Sequence, residues 1–259
     1  DFFDLHLLGQ LGVEEVNARD VGAVVEAERR VIAAHGDSLL RFLNTKYRRA
    51  RNTLKGVLTG SLPSAHTALL ALIDRLIVGQ MAHCYRWEGG GAAVFGSVQP
   101  QPLNHQSDGS LSLGEIAAAI KPDDAHFART RLLALENTLG GKLLPMDYLQ
   151  QATDLARQHG LARHLDGARL FNAAVAQAAA LGTDPYLEAR RITDCFDSVS
   201  VCFSKGLGAP VGSALCGSRE LIARAHRVRK MAGGGMRQSG GLAAAASHAL
   251  AHQVQRLAD

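Results

Sequence analysis

No stretch of this 259-residue chain carries enough consecutive apolar residues to cross a bilayer as a helix: the run Leu69-Leu70-Ala71-Leu72-Ile73 breaks at Asp74 and Arg75. The opening DFFDLHLLGQ lacks the basic start and small-residue cleavage site of a secretory leader. The four cysteines, Cys84, Cys195, Cys202 and Cys216, form no C-x-x-C pair. They lie in apolar or strand-like segments, so they read as buried free thiols in a reducing compartment, and neither disulfides nor a metal site is expected. The cytoplasm is the expected location, without a membrane partner. Acidic residues are missing from RFLNTKYRRARNTLK (41–55), which holds six Lys/Arg. Aromatic interleaving there is thin and no recognised motif surrounds it, so the run reads as a solvated helix face and no nucleic-acid partner is expected. Internal repeats and low-complexity linkers are also absent.

What is present is globular. Apolar residues make up 47% and charged residues 20%, with a net charge of +4. At this length one large α/β domain or two small ones can bury a substantial core. Residues 13–56 have helical spacing, with Val21, Val24, Val25, Ala27, Val31 and Ile32 on one face and a break at Gly36. Ala65–Leu76 is a second helix candidate. From Leu76-Ile77-Val78-Gly79 onward, short apolar strands alternate with helices: a strand at Ala92–Val98, a helix at Leu113–Ile120, a strand at 131–135, a helix at Pro145–His159 and a strand at 162–166. Further on come a helix at Phe171–Leu181, strands at Val199–Phe203 and Ser213–Cys216, a helix at Glu220–Met231 and an Ala-rich helix from Gln238. That alternation implies an α/β fold of three layers, α/β/α, with a mostly parallel sheet.

Ligands of such sheets gather at the carboxyl ends of the strands, and several residues there carry chemistry. In SVSVCFSKGLGAPVGS a period-two strand leads to Lys205 and then to glycines that force a turn. A lysine in a tight, partly apolar place can form a Schiff base; alone, it is equally a loop lysine. HLDGARLF ends a strand on Asp166 with Arg169 three residues on. Asp166 could hold a charged ring nitrogen, or serve as a helix N-cap with Arg169 in solvent. Thr59-Gly60-Ser61 precedes a helix and suits either a phosphate or an ordinary capping turn. His83 follows a strand and precedes a glycine run, where an imidazole could stack on a flat ring, move protons or simply pack. Arg237, after a glycine triplet, could complete an anion site or start a helix. Together these features describe pyridoxal 5′-phosphate, with an amine, a carboxylate, a phosphate turn and a ring to stack on it.

The blocks IVGQMAHCYRWEGGGAAVFGSVQPQPL, DDAHFARTRLLALENT, GKLLPMDYL, HLDGARLFNAAVA, DSVSVCFSKGLGAPVGS and RKMAGGGMRQSGGLAAAA, taken in order, resemble the low-specificity L-threonine aldolases of the aspartate-aminotransferase fold. The resemblance covers 57–257. It implies cleavage of L-threonine and L-allo-threonine to glycine and acetaldehyde by a pyridoxal-phosphate enzyme, a homotetramer with sites between subunits. By the same resemblance Lys205 is the Schiff-base lysine, Asp166 the partner of the pyridine nitrogen and His83 the stacking residue near the substrate hydroxyl. Arg169 contacts the ring oxygen or the substrate carboxylate, and Gly60 and Ser61 belong to the phosphate turn. Arg237 reaches the phosphate from a neighbouring subunit, and His126 handles the substrate side chain. The proton acceptor is His83, His126 or a water, with His83 or water preferred.

The resemblance has edges. Residues 1–56 are expected to form an unmatched, helical N-terminal segment and 57–259 the cofactor-binding large domain, with the family's small C-terminal domain expected to be absent from the chain. Ser61 is followed by Leu62-Pro63-Ser64-Ala65-His66 where the family has a small polar run, and Leu139-Gly140 replaces a polar pair after ENT. These departures leave two further readings: a non-catalytic relative acting as a binding or assembly module, and another pyridoxal-phosphate lyase or aminotransferase on the same fold.

Overall fold

The computed structural model describes residues 74–232, 234 and 238–258. Expectations for 1–73, including the helices at 13–56 and before Asp74, the basic run and the Gly60-Ser61 turn, lie outside the described residues, as does Arg237. Within them no helix is long and apolar enough to cross a membrane, and no group of three or more His, Cys, Asp or Glu is arranged to hold a metal ion.

The chain divides into two compact units. One contains the described residues of Arg48–Gly167 together with Arg191–Val199. Its strands are β1 (Asp74–Gly79), β2 (Gln99–Leu103), β3 (Arg129–Glu136) and β4 (Ala162–Asp166). They hydrogen-bond in the order β2-β1-β3-β4, all three pairs parallel, and β5 (Ser198–Cys202) begins beside β4. Helices α1 (His83–Arg86), α2 (Gly91–Gly96), α3 (Leu113–Ala119) and α4 (Met146–Gln158) connect them.

Parallel strands covered on both faces lose the alternation of a half-buried sheet. Accordingly Leu76, Ile77 and Val78 of β1 are all buried, as are Leu133, Ala134 and Leu135 of β3. Leu76 and Val78 pack with Ala82 and Ala134 on one side. Helix α4 buries Leu149, Ala152, Thr153 and Ala156, the i, i+3, i+4, i+7 stripe of a helix lying on a core. Ser112 starts α3 by accepting the amide of Glu115. Where β4 meets β5, Arg163 donates from Nε and Nη2 to the two carboxylate oxygens of Asp197, at 2.9 and 2.6 Å.

Two expectations fail here for identifiable reasons. Ala92–Val98 is not a strand: 91–96 is helical, and the strand is QPQPL immediately after it. Pro100 and Pro102 lack amide donors, which argues against a central strand but suits an edge; among the described strands β2 pairs only with β1. Asp74, Arg75 and Leu76 belong to β1 and not to a preceding helix.

The second unit contains Ala168–Arg190 and Ser200–Asp259. Its elements are α5 (Leu170–Leu181), α6 (Pro185–Thr193, whose last turn lies in the first unit), the end of β5, β6 (Ser213–Gly217), α7 (Arg219–Met231), α8 (Gly240–His252) and a final 3-10 turn, Gln255–Ala258. Strand β6 lies next to β5. The expected inward face of α7 is present, with Ile222 buried among Leu215, Leu221 and Ala225. Helix α6, invisible to the sequence reading, is tied in by the buried Glu188, which accepts from Gln177 Nε2 at 2.6 Å and Thr183 Oγ1 at 2.7 Å. The Ala-rich helix expected from Gln238 runs from Gly240 to His252.

Candidate functional site

The carboxyl edge of the parallel sheet in the first unit gathers a carboxylate pair. Glu136 ends β3, Asp166 ends β4, and the two are direct partners in the strand register. The chain continues from Glu136 into Asn137, whose amide donates to the Asp166 carbonyl at 3.1 Å. Parallel pairing thus brings together two acids that lie thirty positions apart in sequence.

His83 joins this edge from β1. After Gly79 the chain turns and opens α1 at His83, and the N-cap residue Ala82 offers no side-chain acceptor. Glu136 takes that role: its Oε2 accepts the His83 amide at 2.8 Å. The imidazole Nδ1 lies 3.0 Å from Glu88 Oε1, and both side chains are about half exposed. That leaves Nε2 as the ring nitrogen turned away from a carboxylate partner.

The next residue reports the local charge. Burial first, and then the negative charges of Asp166 and Glu136, push the Cys84 thiol up to about 11. Adjacent to the acids, two buried polar atoms, Asn137 Nδ2 and Thr138 Oγ1, find no hydrogen-bond partner among the described residues. Asn137 Oδ1, by contrast, accepts the Leu144 amide at 3.1 Å. Unused buried polar groups beside the Asp166 strand end suit a ligand that brings hydrogen-bonding atoms.

In the second unit Lys205 stands three residues past the end of β5 and heads a turn closed by the Gly208 amide on its carbonyl at 2.9 Å. Gly208 takes φ +71°, a conformation that side chains disfavour. At Gly206 a Cβ would come within 2.9 Å of Asn172 Oδ1 and of Leu257 Cδ2, so only bare backbone fits beside the lysine. The strand expected over Val199–Phe203 runs from Ser198 to Cys202; its apolar face survives, with Val199 and Val201 buried. Arg169 is exposed and is itself the N-cap of α5, without a side-chain cap. The capping role considered for Asp166 is therefore not taken.

His126 lies elsewhere. It precedes β3, and its Nδ1 is 2.6 Å from Asp124 Oδ1, with the ring largely exposed. The strand that follows it, Arg129–Glu136, runs roughly 23 Å at the usual rise before reaching Glu136. Of the residues singled out in the sequence, the first unit brings together His83 and Asp166 and leaves His126 at the opposite edge. The sequence reading missed Glu136 and Asn137, whose placement depends on strand register.

The sequence matches the beta-eliminating lyase family over residues 59–259. It is 55% identical over 193 residues to the low specificity L-threonine aldolase of Escherichia coli K12, a match covering 73% of this chain and 56% of that protein. It is 42% identical over 189 residues to low-specificity L-threonine aldolase 1 of Arabidopsis thaliana, covering 71% and 51%. The chain thus spans about half the length of these curated relatives. Among solved structures, Leishmania major threonine aldolase superposes with a TM-score of 0.59 at 19% identity, over 91% of this chain and 70% of that one. An aspartate aminotransferase from Thermus thermophilus gives 0.50 at 16% identity over 91% and 65%. These likenesses place the fold in the three-layer α/β/α class expected from the strand and helix alternation.

Proposed function

This chain belongs to the beta-eliminating lyase family, and from that premise we propose that it cleaves L-threonine and L-allo-threonine to glycine and acetaldehyde with pyridoxal 5′-phosphate as cofactor. The observation that carries the reading is the register pairing of Glu136 and Asp166 at the carboxyl edge, with the backbone of His83 held against it. The residues present fit the cofactor. The Asp166 carboxylate suits a protonated ring nitrogen, and the orphaned Asn137 and Thr138 atoms suit polar ring substituents.

When bound, the cofactor supplies the electron sink that makes breaking a Cα–Cβ bond feasible at neutral pH. The chain does the rest. Lys205 would anchor the aldehyde covalently, Asp166 would hold the protonated ring nitrogen by a hydrogen bond, and His83 would lie against the ring. With Nδ1 beside Glu88, its Nε2 takes the proton of the substrate β-hydroxyl as the carbonyl of acetaldehyde forms. Arg169 serves the ring oxygen or the substrate carboxylate, while Gly60, Ser61 and Arg237 serve the phosphate.

The reading includes a cytoplasmic homotetramer. Its support is the apolar surface of α1 and α2 and the turn between them, where Trp87, Val94 and Phe95 are 62%, 71% and 77% exposed close in sequence to His83. Because His126 stands at the far edge of its own sheet, its part in the reaction is played in the site of a neighbouring copy. The experiment is an absorbance spectrum with a glycine assay. Yellow protein that releases glycine from threonine, and a Lys205→Ala variant that does neither, support the reading. Protein that stays colourless with added cofactor favours the binding-module alternative, and colour without glycine favours other chemistry on the same fold.

A further inference from the structure

We propose that Glu136 is a positioning residue for His83, holding from the end of β3 the amide that opens α1 and so fixing the main chain from which the imidazole projects; the inference rests on the aldolase reading for its functional consequence. Helix α1 is a single turn, His83–Arg86, with no buried residue of its own and no side-chain cap from Ala82. A segment of this kind has little intrinsic stability, and its first amides need acceptors. The acceptor found by His83 comes from 53 residues away, on a strand whose preceding residues Leu133, Ala134 and Leu135 are buried. The rigid partner therefore sets the position of the short helix.

The geometry also distinguishes Glu136 from Asp166, its neighbour in register. One oxygen of Glu136 is committed to the His83 main chain. Asp166 has its carbonyl tied to the Asn137 amide, and its side chain is the acid that the reading assigns to the cofactor. The effect of Glu136 on the reaction thus passes through His83, and hydrogen-bond acceptance matters more than negative charge. Glu136→Gln keeps an acceptor oxygen, whereas Glu136→Ala removes it.

Amide exchange resolved at residues 83–86 and threonine cleavage are measured together on wild type, Glu136→Gln, Glu136→Ala, His83→Gln and the Glu136→Ala/His83→Gln double variant. The expected result is slow exchange at the His83 amide in wild type and Glu136→Gln, and exchange about tenfold or more faster in Glu136→Ala. The kcat of Glu136→Ala falls by ten- to a hundredfold, on the order of what a misplacement near 1 Å costs. Glu136→Gln retains most of the wild-type value, and adding Glu136→Ala to His83→Gln costs nothing more. Unchanged exchange in Glu136→Ala, additive losses in the double variant, or a Glu136→Gln loss as large as that of Glu136→Ala overturns the proposal. Should Glu136→Ala fail to fold, Glu136→Met, which keeps the side chain's bulk but lacks the acceptor oxygen, takes its place in both measurements. Exchange needs no turnover, so wild-type protein with the expected exchange pattern but no glycine release supports the Glu136–His83 contact and counts against the aldolase reading only.

Discussion

Cys84 is a built-in probe of the acids around it. Its thiol stays protonated until about pH 11 because of burial and then the charges of Asp166 and Glu136. Removing one charge removes one of those causes. Asp166→Asn is therefore expected to lower the thiol's pKa and to speed iodoacetamide labelling of Cys84 several-fold at pH 9, read by peptide mapping, because the thiolate is the reactive form. The same variant is expected to lose threonine cleavage by about a hundredfold or more, since a neutral amide holds the ring proton less well. Unchanged labelling would place the Asp166 charge away from α1. At this scale the sequence was partly legible: HLDGARLF and SKGLGAPVGS display Asp166 and Lys205 as strand-end residues in distinctive surroundings. Glu136 was not legible, because in ALENT it reads as the end of an apolar strand, and its importance comes from an amide 53 positions away.

Among the elements, periodicity carried most of the architecture, and failures followed the special cases of backbone chemistry. Helices α3, α4, α5 and α7 and strands β3 to β6 lie within a few residues of expectation. The proline-bearing edge strand was missed because its pattern breaks the rules for central strands. One-turn α1 was missed because four residues are too few to display a period. The junction of β4 and β5 provides an energetic test. Arg163 is joined to Asp197 by two side-chain bonds, and the Arg163 amide adds a third to Asp197 Oδ2 at 2.8 Å. The Asp197 hydrogen bonds hold the Arg163 guanidinium above its ordinary pKa. Asp197→Ala strands a largely buried guanidinium and is expected to destabilise the protein by about 1–3 kcal/mol in urea unfolding. A loss below a few tenths of a kcal/mol would mean that the clasp is as weak as an ordinary surface pair.

For the whole molecule, buried thiols and phenols among the described residues, Cys84, Cys216 and Tyr148 foremost, set a pH limit on stability. Cys84 is pushed to about 11, and Cys216 and Tyr148 to about 12, each chiefly by burial. Their anionic forms are disfavoured in the folded state, so above the ordinary thiol value near 9 the unfolded chain loses protons that the folded chain keeps. The folded state then binds more protons, and stability falls as pH rises. Tm is expected to be insensitive to these groups below about pH 8 and to drop between about pH 9 and 12, with a shallower drop in Cys216→Val; the same slope in both proteins would contradict the burial argument. Assembly is testable at this scale too. Phe95→Glu is expected to lower the solution mass toward smaller oligomers, and a variant that keeps the wild-type mass would clear α2 of an interface role. Mixing Lys205→Ala with His126→Ala chains during refolding is expected to regain up to about a quarter of wild-type activity if His126 serves a neighbouring copy. Recovery no greater than the sum of the two separate variants would contradict that assignment.

The central claim is that this chain uses a Lys205-anchored pyridoxal 5′-phosphate to break the Cα–Cβ bond of threonine. Borohydride reduction of cofactor-saturated protein followed by peptide mapping, with glycine release measured on the same sample before reduction, tests it most directly. The account predicts a pyridoxyl label on Lys205 and glycine formed in step with acetaldehyde. An unlabelled Lys205, or a labelled Lys205 in protein that yields no glycine, would contradict it.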